Sequence, residues 1–180
     1  MGGSRTMKLT EPAIEYAQQI QAYRKEFLDC GDSMDGTSSL RRFETLQEWI
    51  EYINAHKDPL TGPDGHSPAS QFIFIREEDL KIVGMINIRF RLNDYLEKFG
   101  GHIGYSVAPS ERRKGYATQM LKLVLSECAK LGIGRVLITC VQGNEGSKRT
   151  ILHNGGVFES TVFDPEDDCW LERYWIDLSR

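Results

Sequence analysis

Gly101–Leu121, GHIGYSVAPSERRKGYATQML, is the stretch on which the reading of this chain turns. His102–Val107 has the apolar content of a strand, follows a Gly-Gly pair and stops short of Pro109, which cannot continue a central strand. A basic turn, Ser110–Lys114, comes next. From Gly115 to Leu131 the residues Ala117, Met120, Leu121, Val124, Leu125 and Cys128 then trace one broad apolar helical face, and Gly132 ends the helix. The first amides of a helix have no intrahelical partner, and the macrodipole adds partial positive charge there, so a helix start is suited to an anion. Gly115 lets the anion come close, Ala117 keeps the first turn slim, and Arg112, Arg113 and Lys114 add positive charge. Such a turn is equally at home as a solvated surface feature, so the phosphate reading has to draw on the rest of the chain.

Downstream, Arg135–Val141 is apolar and bounded by turn residues, a buried strand reached through a helical crossover, so strand, helix and strand form a βαβ unit. A short helix over Ser147–Asn154 and strands near Val157–Phe163 and Cys169–Leu178 complete the chain. Upstream, QFIFIRE (Gln71–Glu77) and KIVGMINIRF (Lys81–Phe90) flank Glu78, Asp79 and Leu80 as a hairpin. Two amphipathic helices, Glu11–Leu28 and Thr45–His56, precede it, joined by the Gly-, Ser- and Asp-rich segment Asp29–Ser39. The loop Asp58–Gln71 is long enough for a functional flap or a mobile insertion.

The 180 residues, 40% of them hydrophobic, suit one domain over 7–180. Residues 1–6 read as a cloning remnant or a disordered start. With 22 Lys and Arg against 26 Asp and Glu the net charge is -4, which argues against a general nucleic-acid partner. No apolar run approaches the ~20 residues of a membrane span. With no signal-peptide core at the start, a cytoplasmic location and no membrane partner are expected. Cys30, Cys128, Cys140 and Cys169 form no CxxC pair, so they read as reduced, mostly buried thiols and no metal site is expected. Neither a P-loop nor a GxGxxG pattern occurs.

The segment RRKGYA resembles the Arg/Gln-x-x-Gly-x-Gly/Ala signature of the GNAT superfamily of N-acetyltransferases, with Arg112, Gly115 and Ala117 at the matching positions. NEGSKRTILHNGGVFES, from Asn144, is similar to that family's second conserved region, and the element order agrees from Lys8 to the closing strand. The resemblance implies an α/β (α+β) fold, with a central mixed, largely antiparallel β-sheet flanked by helices and the βαβ crossover carrying the CoA site. It implies acetyl-CoA as co-substrate, with the signature's amides on the pyrophosphate and strand His102–Val107 along the pantetheine arm. Ser106, Val107, Arg112, Arg113, Lys114, Gly115, Tyr116, Ala117, Thr118, Asn144 and Ser147 are the cofactor-binding candidates.

Many relatives carry a catalytic glutamate on the strand before the phosphate turn; the corresponding residue is His102, with Tyr105 a second candidate on the opposite face. An amine of pKa near ~10 must lose a proton before it attacks a thioester, which defines the task of such a base. The tyrosine that relatives place seven residues after the asparagine, as proton donor to the thiolate, is here Ile151. His153, Cys140 and Tyr174 are substitutes of no stronger standing than solvent. Asp29, Asp32, Asp35 and Glu44 are acids that suit a cationic acceptor, and Trp49, Trp170 and Trp175 fit core or strand packing. The expected activity is direct acetyl transfer to a primary amine of a small molecule or peptide. The rival is a non-catalytic acyl-CoA-binding or regulatory module. A homodimer through the final strands is a further expectation.

Overall fold

The computed structural model describes residues 5–58 and 65–179. Strand β1 (Met7–Thr10) leads into a 3-10 turn (Ile14–Tyr16) and helix α1 (Ala17–Cys30); helix α2 (Leu46–Lys57) follows the segment 31–45. Strands β2 (Ala69–Arg76), β3 (Lys81–Arg89) and β4 (Ile103–Val107) come next, then α3 (Tyr116–Lys130), β5 (Arg135–Val141), α4 (Glu145–His153), β6 (Val157–Asp164) and β7 (Cys169–Asp177). Local chemistry sets several of these bounds. Thr45 and Glu48 form a reciprocal capping box at the start of α2, and Asn144 caps α4 through the Ser147 amide.

The strands form two antiparallel sheets, in the orders β1-β2-β3-β4 and β5-β7-β6. The expected α/β architecture is present, and β4, α3 and β5 form the expected crossover. The single mixed sheet is refined, however: β4 and β5 share no ladder and instead form the facing edges of the two sheets. They meet where the His102 amide donates to the Leu137 carbonyl at 2.8 Å, while the Leu137 amide donates to His102 Nδ1 at 2.9 Å.

Side-chain alternation divides the core in two. On one face of the first sheet Ile73, Ile75 and Met85 pack with Ile20, Tyr23 and Phe27 of α1 and with Trp49 and Ile53 of α2. On the other, Phe74, Ile86, Ile88 and Ile103 join Met120, Leu121, Val124 and Cys128 of α3. The same cluster takes in Val136, Ile138 and Tyr174 of the second sheet and Ile151 of α4, so α3 and α4 clamp the two sheets together.

Some expectations change. β1 falls where no strand was expected; it pairs with β2 through the backbone at Met7–Arg76 to Thr10–Ile73. Residues 1–4 lie outside the described residues, whereas the Thr6 carbonyl accepts from the Glu77 amide, so the chain is fastened from there onward. Residues 59–64 of the expected flap are likewise outside the described residues. Trp49 is fully buried in the core, and Trp170, 52% exposed on β7, packs against its cross-strand neighbour Phe163, both within the expected core or strand packing. Among the cysteines, Cys128 and Cys140 are buried and Cys30 is exposed.

Candidate active site

The β4–α3 connection is built from a strained turn and an open helix start. Arg113 adopts φ 61°, and Gly115, the N-cap of α3, adopts φ 82° with no side-chain cap. The first intrahelical donor is Gln119, to the Gly115 carbonyl at 3.2 Å, so the Tyr116, Ala117 and Thr118 amides have no helical acceptor. A side chain built at Gly115 meets nothing within 4 Å. The front of this helix is therefore open, positively polarised and lined by backbone donors.

β4 presents an edge to the same region. Ala108 N donates to Val83 O and Arg89 N to His102 O, which puts the His102 carbonyl and the peptide groups of Gly104 and Ser106 in phase with β3, while the His102 amide turns to Leu137. By alternation those of Ile103, Tyr105 and Val107 face the outer edge, where no strand is laddered. Side chains alternate too: Ser106 reaches α1, while Tyr105 reaches α4.

Several candidates fall elsewhere than expected. The Ser106 hydroxyl donates to the Asp35 carbonyl at 2.6 Å and lies 2.9 Å from the buried Tyr23 hydroxyl, so it pins the 31–39 segment. Arg112 is turned toward α1, with Nη1 2.6 Å from Asp32 and Nε donating to the Val107 carbonyl at 3.3 Å. That hydrogen bond holds the Asp32 carboxyl below its usual pKa. Lys114 Nζ is 2.8 Å from Glu111. The Tyr116 ring is buried against Phe74, and its hydroxyl accepts from Arg76 and Arg5, which leaves only its amide at the helix start. Thr118 offers its amide to the front while its carbonyl accepts from Asn154. Arg113 is exposed and makes no described hydrogen bond or ion pair. Asn144 spends its Oδ1 on the α4 cap, and Ser147 Oγ lies 2.7 Å from the Tyr105 hydroxyl.

The two catalytic candidates separate clearly. His102 Nδ1 accepts the Leu137 amide, so the neutral ring carries its proton on Nε2 and has no lone pair free. Burial, then the charge of Arg89, lowers its pKa further. A base role would require breaking the contact that joins the two sheets. Tyr105 is equally unsuited as a base, because burial raises its pKa and the hydrogen bond with Ser147 offsets only part of that rise. A phenol that stays protonated is instead a hydrogen-bond donor. Ile151, where relatives carry the tyrosine, is fully buried in the core, and a side chain at Gly156 would lie 2.4 Å from its Cγ2, which accounts for the glycine there. Among the alternatives, burial pushes the Cys140 thiol up to about 11, Tyr174 donates to Glu172, and exposed His153 bonds the Arg149 carbonyl.

Glu111 was missed. It is buried, and its carboxylate contacts Arg76 at 2.9 Å, Lys81 at 3.0 Å and Lys114 at 2.8 Å. Burial raises its pKa, but the hydrogen bonds from Arg76, Lys114 and Lys81 win and depress it to about 2. Its stabilising contribution is therefore present above the ordinary carboxyl value of 4.5 and is lost only as pH falls through about 2.

The sequence profile of the Acetyltransferase (GNAT) family matches residues 36–155, more than half of the 180-residue chain. The chain belongs to the GNAT family. Its matched region runs from the loop over β4 through the open start of α3 to the end of α4, and membership makes this GNAT protein an acyltransferase. No curated protein sequence matches it. Among solved structures, the ribosomal-protein-S5-alanine acetyltransferase of Vibrio fischeri aligns with TM-score 0.69 and 15% identity, over 98% of this chain and 95% of that one. The Microcin C7 self immunity acetyltransferase MccE, in complex with acetyl-CoA and AMP, aligns with TM-score 0.65 and 18% identity, over 95% and 92%. A spermidine N-acetyltransferase of Vibrio cholerae aligns with TM-score 0.64 and 14% identity, over 96% and 94%. At these identities the likeness establishes the GNAT fold alone.

Proposed function

We propose that this single domain, residues 7–180, is a cytoplasmic N-acetyltransferase that moves an acetyl group from acetyl-CoA directly to a primary amine. The observation that carries this reading is the uncapped, open start of α3 standing next to the unladdered edge of β4. The Tyr116, Ala117 and Thr118 amides hold the pyrophosphate, with Arg113 supplying mobile positive charge in front of them. The outer edge of β4 pairs with the pantetheine arm. MccE, similar in fold, is described in complex with acetyl-CoA, which supports the same co-substrate here.

The chemistry assigned to the chain is modest. The acceptor ammonium loses its proton to solvent, since His102 has no free lone pair. The amine nitrogen then attacks the thioester carbon; the C–N bond forms, the nitrogen gives up its second proton to solvent, the C–S bond breaks, and the electron pair leaves on sulfur. A thiolate of pKa near ~8.5 is a tolerable leaving group. The Tyr105 hydroxyl, which donates to the Ser147 carbonyl at 3.3 Å, turns from it to donate a hydrogen bond to the thiolate as charge develops, and solvent protonates the sulfur afterwards. Tyr105 faces α4 while Ser106 faces α1, so thiol and acceptor occupy opposite faces of β4. Of the candidate acids, Asp29 is paired with Lys25 and Asp32 with Arg112, which leaves exposed Asp35, bonded by Ser33, and exposed Glu44 as the acids for a cationic acceptor.

Thiol release from acetyl-CoA, measured across a panel containing spermidine and peptides with N-terminal alanine, tests the assignment. Release that requires both acetyl-CoA and an amine is expected; tight CoA binding without release in any mixture would leave the binding-module reading instead. Tyr105→Phe is expected to lower kcat by about tenfold to a hundredfold, the scale of one lost donor to developing charge, with acetyl-CoA affinity unchanged. An undiminished kcat removes Tyr105 from the mechanism.

A further inference from the structure

A buried carboxylate four residues before Gly115 is electrostatically unfavourable for an anion at the start of α3, so its presence there calls for a reason. Glu111 stands on the 3-10 turn Pro109–Glu111 and gathers three cations from three places: Arg76 on β2, Lys81 on β3 and Lys114 on the turn itself. The edge of Arg76 not used by Glu111 is held by Asp79, and Lys81 also donates to the Ser110 hydroxyl at 2.9 Å. Around this anchor the chain takes the left-handed φ of 61° at Arg113, a conformation that costs a non-glycine residue about 1–2 kcal/mol and persists only when its surroundings impose it. On the other side the Ser110 amide donates to Glu26 and Arg112 is clamped by Asp32. The turn is thus tied down at both flanks, and the tie nearest Gly115 is Glu111–Lys114.

We infer that Glu111 is a positioning residue for CoA: it does not touch the cofactor but fixes Lys114 and the 112–115 backbone so that the first amides of α3 converge on the pyrophosphate. This rests on the acetyl-CoA reading above and adds to it a residue outside the signature. Removing the carboxylate frees Lys114, leaves Lys81 held to the turn by the Ser110 hydroxyl alone and lets Arg113 relax toward ordinary φ, so the amide cradle loses its pre-organised shape. The pantetheine edge of β4 is held by β3 and by Leu137 and meets that network only at its far end, where Arg112 Nε donates to the Val107 carbonyl.

The test compares acetyl-CoA with S-acetylpantetheine, which keeps the thioester and the pantetheine arm and lacks the pyrophosphate. Wild type, Glu111→Gln and Glu111→Asp are titrated with acetyl-CoA by calorimetry and with S-acetylpantetheine by NMR, at a temperature where circular dichroism shows each protein folded. Glu111→Gln is expected to raise the acetyl-CoA Kd about tenfold or more, as loss of charge-assisted hydrogen bonds implies, and to leave S-acetylpantetheine binding unchanged. Glu111→Asp, which keeps the charge but withdraws it by one methylene, should fall between, and it carries the comparison alone if the Gln variant does not fold. Equal acetyl-CoA affinity in wild type and variants, or equal losses for both ligands, overturns the inference. A wild type that binds no acetyl-CoA fails the cofactor reading instead, before Glu111 is in question.

Discussion

Gly115→Glu raises the acetyl-CoA Kd by at least about 100-fold, or about 2.7 kcal/mol, while the protein remains folded. The side chain enters open space, since nothing lies within 4 Å of a Cβ there, so packing is not disturbed. What changes is the field and the access: a carboxylate is placed where the first amides of α3 and the helix dipole favour an anion. The φ of 82° adds a conformational cost of about 1–2 kcal/mol, small enough to leave a folded protein. Gly115→Asn is the control, because asparagine tolerates the left-handed region and carries no charge. It should keep most of the affinity. Calorimetry with acetyl-CoA reads the first effect and a thermal melt the second; unchanged affinity in Gly115→Glu would remove the pyrophosphate from this helix.

Gly36→Ala is the most damaging single methyl group to stability. A Cβ there would lie 2.3 Å from the Gly104 carbonyl oxygen and 2.4 Å from Tyr105 Cα, and φ is 68°. Both contacts are with backbone, so no rotamer change relieves them, and segment 31–39 must lift from β4. Lifting breaks the bonds from Ser106 to the Asp35 carbonyl, from Gln71 to the Gly36 carbonyl and from Ser38 to Gln71. Overpacking with stranded buried polar groups puts the loss at about 3 kcal/mol or more, roughly a 10 °C fall in Tm for a domain of this size. Turnover is expected to fall with it, because that segment covers the face of β4 proposed for the acceptor. Gly31→Ala shares the positive φ of 67° but has nothing within 4 Å, and should cost only about 1 kcal/mol. A similar Tm for the two variants would mean that the close approach at Gly36 carries no weight.

The parts of this protein legible in sequence were those whose signal is local. The apolar stripe of α3 from Ala117 to Cys128 and the run Arg135–Val141 were read nearly to the residue, because periodicity and flanking glycines specify them. β1 was not, since four residues whose pairing with β2 is made by the backbone leave little pattern of their own. The turn before α3 is marked in the sequence by its glycine and its cations, but sequence alone shows those cations as if free. Asp32 takes Arg112 from 80 positions away, and Arg76 and Lys81 converge on Glu111 from neighbouring strands, distances at which a single sequence carries no signal. The contact that occupies His102 Nδ1 was illegible for the same reason: its partner, the Leu137 amide, is 35 residues away and belongs to the other sheet. Alternation alone put Tyr105 on the face opposite His102, but only the fold brings its hydroxyl to Ser147.

The account depends first on whether the start of α3 takes CoA. Calorimetric titration of the purified protein with acetyl-CoA measures this directly, without knowledge of the acceptor. Saturable binding at one site per chain, weakened in Gly115→Glu, is the predicted result. No heat of binding with millimolar acetyl-CoA would contradict it, and the open N-terminus of α3 would then be a feature of the fold alone.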